Sequence, residues 1–294
     1  MNTARISSSI RRGGPQIDRP EGSHFFSLNM AELRIQNLRK GQRDHLLEAL
    51  MGVKEYDLRP AAAQPPISVL DCTCGFGADA AVASFGLPAG SRVDALEVSP
   101  LLEAVTAWGF SHFVHKKDDV TAALRRISLR CGDYRDYLLS DEGPVYDVLY
   151  FDPMFQRPVE ASCQFQPVRA IMEHGGLTRD LIERALQKAR RRVVIKERDF
   201  RQLCRDFPDV ALYGGKYSRI GYAVLECDSW KKCNCHHRSD GGRQDGPQFC
   251  PGRTLRDRPH FRRRLPDLPP YGYRYGQADS GRTGPLSPLS HRYC

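Results

Sequence analysis

Residues 148–157 read VLYFDPMFQR. Val148 to Phe151 suit a buried strand, which stops on the tetrad Asp152-Pro153-Met154-Phe155. A carboxylate, a residue with no N–H and an aromatic ring at a strand tip suit one kind of chemistry. An exocyclic amine on a base is a poor nucleophile because its lone pair is delocalised into the ring. The Asp152 carboxylate and the Pro153 carbonyl are acceptors that would take the amine's N–H groups and orient that lone pair towards an electrophile. Phe155 would stack on the base, as aromatic residues do in enzymes that work on bases. An ordinary Asp-Pro turn is the alternative.

Three other strand ends carry residues of binding type. VLDCTCGFGAD (69–79) is a strand ending on Asp71, a loop holding Gly75 and Gly77, and a helix start. Glycines let a backbone approach a ligand closely, and a helix start favours a negative group. The loop is G-x-G followed by Ala80, so it is ambiguous among nucleotide sites, and no Gly-Lys-Ser/Thr follows to make a phosphate loop. Glu97 ends the next strand, where an acid can accept from both hydroxyls of a ribose. Asp133 ends the third, where it would meet an adenine amino group or cap the following helix. Lys196 and Arg198 follow a later strand and would meet phosphate or form a strand-end salt bridge.

The elements that must carry these residues alternate. Strands are expected at 67–71, 92–97, 127–133, 145–152 and 191–197. Helices are expected at 78–86, 99–110, 134–140 and 177–189, and a last strand pair within 216–227. Strands joined by helices imply a doubly wound, mostly parallel α/β sheet covered on both faces, with ligands beyond the carboxyl ends of its strands. Upstream, residues 28–50 read as helix, with Leu28, Ala31, Ile35 and Leu38 on one face and Leu46, Leu47 and Leu50 after Gly41. The opposite face holds Arg34, Arg39, Lys40 and Arg43, a solvated face or a phosphate contact. The domain divisions expected are 1–22 disordered, 23–50 helical, 51–227 the α/β domain and 228–294 a disordered tail.

The chain has 294 residues, 40% hydrophobic, enough for a sizeable core. No apolar run reaches about 18 residues, and no apolar stretch follows the early arginines. Without an export signal a cytoplasmic protein is expected, its ten cysteines mostly reduced thiols that are scattered apart from Cys72/Cys74 and Cys233/Cys235. Seven of the nine net positive charges fall in residues 227–294, so the basic balance describes the tail more than the domain. From Ser229 onward there is no Val, Ile, Glu or Met, and 8 of the 20 prolines lie there. Such a segment cannot bury enough apolar surface to order itself, and its composition suits an out-of-frame extension of a domain ending near Glu226. Cys227, Cys233, Cys235, His236, His237 and Cys250 match no paired zinc spacing, so no metal is expected. Cys72 and Cys74 read as small packing residues rather than nucleophiles.

Taken together, the glycine loop, the strand-end acid and the Asp-Pro-x-aromatic tetrad resemble a class I S-adenosylmethionine-dependent N-methyltransferase. More narrowly, residues 71–79 resemble the "DATAGLGRDA" loop of the small-subunit ribosomal RNA guanine-N2 methyltransferase J family. Tyr150 to Phe155 resemble its "YLDPMFP", and Arg192 to Lys196 its "RVVVK". Residues 24–44 resemble the entry region of a Gram-positive-type branch. The resemblance covers about residues 23–227. It implies S-adenosylmethionine as methyl donor and the 2-amino group of a guanine in small-subunit ribosomal RNA, or the small subunit itself, as acceptor. It implies a cofactor site of Asp71, Cys72, Gly75, Gly77, Asp79, Glu97 and Asp133, and a catalytic set of Asp152, Pro153 and Phe155. Gln156-Arg157-Pro158 departs from the family's Pro-x-Lys after the tetrad, a departure that bears on the RNA.

Three other readings share parts of this pattern. An N-methyltransferase of DNA, protein or a small amine would use the same tetrad. An NAD-type oxidoreductase would use Gly75, Gly77 and Glu97 but has no task for residues 152–155. A non-catalytic RNA-binding protein would have no need of an intact tetrad.

Overall fold

The computed structural model describes residues 5–9, 14–19, 22–53, 65–153, 176–214 and 220–228. The chain divides into units of residues 1–242 and 243–294, and every described residue lies in the first. The tail from Ser229 and Met154 to Gly175 lie outside the described residues, so the readings made of them are not addressed by the structure.

The main sheet has seven strands. They are β4 (Ser68–Asp71), β5 (Arg92–Glu97), β6 (Ile127–Cys131), β7 (Val148–Phe151), β8 (Arg192–Glu197), β9 (Ala211–Tyr213) and β10 (Gly221–Glu226), in the order β6-β5-β4-β7-β8-β10-β9. The first five in sequence run parallel, and β10 runs antiparallel between β8 and β9. The chain winds outward from β4 through β5 to β6, then returns to the other side of β4 with β7. This reversal between β4 and β7 is the switch point at which doubly wound sheets take ligands.

Alternation along each strand builds two cores, one on each face. Val69, Val148, Tyr150 and Val194 enter one core, while Leu70, Leu149, Phe151, Val193 and Ile195 enter the other. The first face is covered by α3 (Ala78–Gly86), α4 (Pro100–His112) and α5 (Asp118–Arg125), and the second by α6 (Tyr134–Leu139) and α7 (Arg179–Lys188). α8 (Arg201–Asp206) follows β8.

The upstream helix is two helices, α1 (Asn29–Arg39) and α2 (His45–Met51). Gly41 adopts φ +76° between them, a left-handed conformation that favours glycine. Asp44 caps α2 by accepting from the N–H groups of Leu46 and Leu47. Ala31, Ile35 and Leu38 are buried, as their spacing implied.

Disorder was expected across residues 1–22, but the described residues of that span are strands. β1 (Arg5–Ser9), β2 (Gly14–Arg19) and β3 (Gly22–Phe25) form an antiparallel three-stranded sheet. It docks on α4 through aromatic rings laid on glycines. A side chain at Gly109 would stand 2.0 Å from the Phe26 ring, and one at Gly14 would stand 2.4 Å from Trp108. Phe26 meets Phe110 and Phe113 edge-on, and Ile17 is fully buried in the main core. These contacts are what low local hydrophobicity concealed.

Candidate active site

The two loops at the switch point are joined directly. Register sets Asp71 of β4 beside Tyr150 of β7, and the Cys72 N–H continues the ladder by donating to the Tyr150 carbonyl at 2.9 Å. Two residues beyond Tyr150, the Asp152 N–H donates to Thr73 Oγ1 at 2.7 Å. Thr73 in turn donates its N–H to Asp71 Oδ1 at 3.1 Å. The glycine loop and Asp152 are therefore held side by side at the switch point, as the doubly wound arrangement required.

The glycine loop leaves room on one side only. Gly75 has φ +55°, and a Cβ there would meet nothing closer than the Thr73 carbonyl at 3.9 Å. Gly77 has φ +75° and is closed in, because a Cβ would lie 2.3 Å from the Phe110 ring. Gly75 is thus the glycine that leaves space for a ligand, and Gly77 packs α3 against α4. Phe76 between them packs on His24 of β3, centroids 4.2 Å apart and planes tilted by 48°. Burial lowers the His24 pKa to about 4, so this imidazole is neutral.

Glu97 sits against the same loop. Its carboxylate accepts from the Gly75 N–H at 2.8 Å and the Ser99 N–H at 2.9 Å, one on each oxygen. Burial raises its pKa, and those two bonds partly offset the rise. Asp71 is 2% exposed, and Thr73 is the donor to one of its oxygens. The other oxygen has no partner among the described residues. Burial raises the Asp71 pKa well above the usual range, with Asp79 and Asp152 adding to the rise. An orphaned buried carboxylate oxygen, an open glycine and a strand-end acid suit a ligand carrying both a cationic group and a ribose. The donor set therefore fits S-adenosylmethionine.

Asp79 is engaged by other side chains. Its carboxylate accepts from Lys196 Nζ at 2.8 Å, from the Tyr150 hydroxyl at 2.7 Å and from Arg34. Burial alone would raise its pKa, but Lys196 and Arg34 outweigh burial and hold it low. Lys196 also donates to Asp152 Oδ2 at 2.7 Å. This is the salt-bridge reading of Lys196 rather than the phosphate one. Arg34 grips Asp44 with two bonds of 2.7 and 2.8 Å, Arg39 pairs with Asp119, and Arg43 pairs with Glu48. Three of the four cations of the N-terminal helices are thus neutralised by carboxylates instead of presenting a phosphate-binding face.

Two further expectations resolve towards structure. Asp133 caps α6 by accepting from the Arg135 N–H at 2.8 Å and also pairs with the Arg135 side chain. That is the helix-cap alternative, and it leaves the adenine contact without geometric support. The Cys72 side chain packs in the second core, and burial raises both the Cys72 and Cys74 thiols, which suits packing rather than nucleophilic chemistry. Pro153 follows Asp152 at the strand tip, while Met154 and Phe155 lie outside the described residues. Among the described residues no group of His, Cys, Asp and Glu could hold a metal ion, and no helix is long and apolar enough to cross a membrane.

Sequence reasoning missed Thr73, Tyr150 and Arg34 as parts of this site. Thr73 and Asp152 are 79 positions apart, and no local pattern marks a threonine as the partner of a distant backbone N–H.

The chain is 32% identical over 173 residues to the Bacillus subtilis protein YpiP, covering 59% of this chain and 63% of that protein. It is 32% identical over 158 residues to ribosomal RNA small subunit methyltransferase J of Thioalkalivibrio sulfidiphilus, covering 52% of this chain and 57% of the relative. The chain thus spans less than two thirds of the length of either. A solved SAM-dependent methyltransferase of Neisseria gonorrhoeae aligns over 72% of this chain and 78% of its own, with 19% identity and a TM-score of 0.49. The family described as "Putative SAM-dependent methyltransferase" matches residues 34–220. That match spans well over half of the chain, which belongs to this family of enzymes, whose cofactor is S-adenosylmethionine.

Proposed function

We propose that this chain is an N-methyltransferase acting on the exocyclic 2-amino group of a guanine in small-subunit ribosomal RNA. The observation that carries the reading is the 2.7 Å bond from the Asp152 N–H to Thr73 Oγ1, which ties the acceptor carboxylate to the cofactor loop. The relatives described as ribosomal RNA small subunit methyltransferase J support the choice of RNA.

Bound S-adenosylmethionine would supply the amine with an electrophilic methyl group, on a sulfonium whose sulfur keeps the carbon–sulfur electron pair. The chain's residues position that event. Asp71 and the open backbone at Gly75 would receive the cationic methionine part, and Glu97 would receive the ribose hydroxyls. Asp152 Oδ1 has no partner among the described residues, and it accepts an N–H of the guanine amine. The Pro153 carbonyl accepts the other N–H. Phe155, which lies outside the described residues, is assigned to the base by the sequence and the family resemblance alone. The proton released from the methylated nitrogen passes to Asp152 and then to solvent. Asp152 suits this step, because burial raises its pKa while Lys196 opposes the rise.

The test is methyl transfer from labelled S-adenosylmethionine to small ribosomal subunits, naked RNA and DNA. Label in a guanine of the ribosomal RNA, absent with Asp152→Ala although that variant still binds the cofactor, is the expected result. Label in DNA, protein or a small amine instead would replace the RNA with that acceptor. Equal loss of transfer and cofactor binding in Asp152→Ala would contradict its assigned role.

A further inference from the structure

Lys196 is the residue of β8 beside the tip of β7, since Ile195 pairs with Phe151. It points between two carboxylates, Asp152 Oδ2 at 2.7 Å and Asp79 Oδ2 at 2.8 Å, and its side chain is only 14% exposed. Asp79 is fixed from three directions by Lys196, Tyr150 and Arg34, and Arg34 is fixed by Asp44. The result is a line of alternating charge, Asp44–Arg34–Asp79–Lys196–Asp152. It runs from the start of α2 to the tip of the central strand.

Burying these ions costs desolvation that an apolar core of the same volume would avoid. The line ends at a carboxylate that is still 30% exposed, beside the glycine loop. Resting on the function proposed above, we propose that Lys196 is the positioning residue for Asp152. It holds Oδ2, fixes the carboxylate plane and leaves Oδ1 as the acceptor for the substrate amine, while Asp79 holds the lysine.

The same contact governs the charge of Asp152. Three carboxylates face it: Asp79 from α3, Asp71 from β4 and Glu197 from β8. The Tyr150 hydroxyl also neighbours Asp152 and the Tyr222 hydroxyl neighbours Lys196, and burial raises the pKa of both. Burial and the neighbouring carboxylates drive Asp152 towards its protonated form, which cannot accept through both oxygens. Lys196 is the cation in contact with it that opposes them. Burial pulls the lysine's own pKa down, but Asp79 and Asp152 outweigh burial and keep it charged.

The test compares wild type with Lys196→Met, which keeps the stem and removes the charge, and Lys196→Arg, which keeps the charge. Carboxyl NMR of 13C-aspartate-labelled protein, without substrate, follows the titration of Asp152, identified by its loss in Asp152→Asn. In Lys196→Met the midpoint moves up by about one unit or more, as expected on losing an opposite charge within hydrogen-bond reach. The acid limb of the kcat profile moves up with it. At neutral pH kcat falls about 10- to 100-fold, with cofactor Kd changed less than about threefold. Lys196→Arg restores most of the midpoint. Should the methionine variant not fold, Lys196→Gln carries the same measurement. An unmoved Asp152 midpoint and an unmoved acid limb would overturn the proposal. A wild-type protein that methylates no RNA would defeat the proposed substrate, and the NMR titration would still decide the role of Lys196.

Discussion

The backbone N–H of Asp152 donates to the Thr73 side chain at 2.7 Å, while the Thr73 N–H donates to Asp71. A single threonine thus links the carboxylate that would face the acceptor to the carboxylate that would face the donor. Thr73→Val removes the acceptor for the Asp152 N–H and leaves a buried donor unsatisfied, a cost of about 1–3 kcal/mol. The expected outcome is an approximately 10-fold fall in kcat from a displaced Asp152. Thr73→Ser keeps the hydroxyl and most of the rate. Steady-state kinetics beside denaturant unfolding would check both, and a valine variant with wild-type kcat would remove the link from the mechanism.

Asp71 tests the cofactor site through stability. Burial raises its pKa, so the folded protein prefers Asp71 protonated. Such a group stabilises the fold below its unfolded pKa, near 3.9, and that contribution is lost as pH rises through the folded pKa. Above that raised pKa the free protein therefore holds a destabilising charge that a cationic ligand would relieve. Asp71→Asn is expected to raise Tm on the alkaline side of that pKa by about 2–4 °C for each kcal/mol gained. The gain shrinks towards pH 4, and cofactor affinity falls. Melting curves across pH, paired with calorimetric titration of S-adenosylmethionine, measure the trade. A lower Tm for the variant on that alkaline side would count against an uncompensated charge.

Glu97 makes a separate prediction. Glu97→Gln keeps the shape but turns one acceptor oxygen into a donor NH2 facing either the Gly75 or the Ser99 N–H. The loss of a charge-assisted pair is expected to weaken S-adenosylmethionine binding by about 10-fold, in line with about 1.5 kcal/mol for a hydrogen bond to a charged group. Affinity of the wild type should also fall as pH drops through the raised Glu97 pKa, and the glutamine variant should show a flatter dependence. Parallel binding curves from pH 4 to pH 8 would reveal it.

Docking of the N-terminal sheet is open to a double-mutant cycle. Gly109→Ala places a methyl group 2.0 Å from the Phe26 ring in a packed helix. Overpacking of this kind costs about 1–3 kcal/mol. Phe26→Ala removes the obstacle at the expense of a cavity. The two changes together should cost less than the sum of the singles, since they meet at one contact. Strict additivity would mean that the ring does not rest there in solution.

Much of the sheet was legible because its strands are short apolar runs bounded by turns. β5 and α3 fall on the expected residues, and β4, β6, β7 and β8 fall within one to three residues of expectation. The final pair was shifted: β9 begins at Ala211, ahead of the stretch expected to hold it. α5 escaped notice although Val120, Ala123 and Leu124 have helical spacing, because its charged start reads as a loop. β1 to β3 were hidden more thoroughly. Their sequence is polar and rich in Gly and Pro, and what holds them is aromatic rings from elsewhere fitting bare glycine backbone, a long-range match that no local window contains. In the site, the strand-end acids were found because position along a strand can be counted. Asp79 was assigned to the cofactor because it stands in the loop motif. Its direction depends on Arg34, Tyr150 and Lys196, which only the fold assembles.

β4 and β7 are neighbours in one parallel ladder, about 4.8 Å apart as adjacent strands are. The groups assigned to the two reactants are therefore mounted on the same rigid rail rather than on two hinged bodies. When the sheet twists or breathes, both mounts travel together, and the displacement cancels in the gap between them. Alignment for transfer would then tolerate disturbance of the outer helices, and be sensitive to any insertion in the few residues between Asp71 and Gly75 or between Phe151 and Pro153.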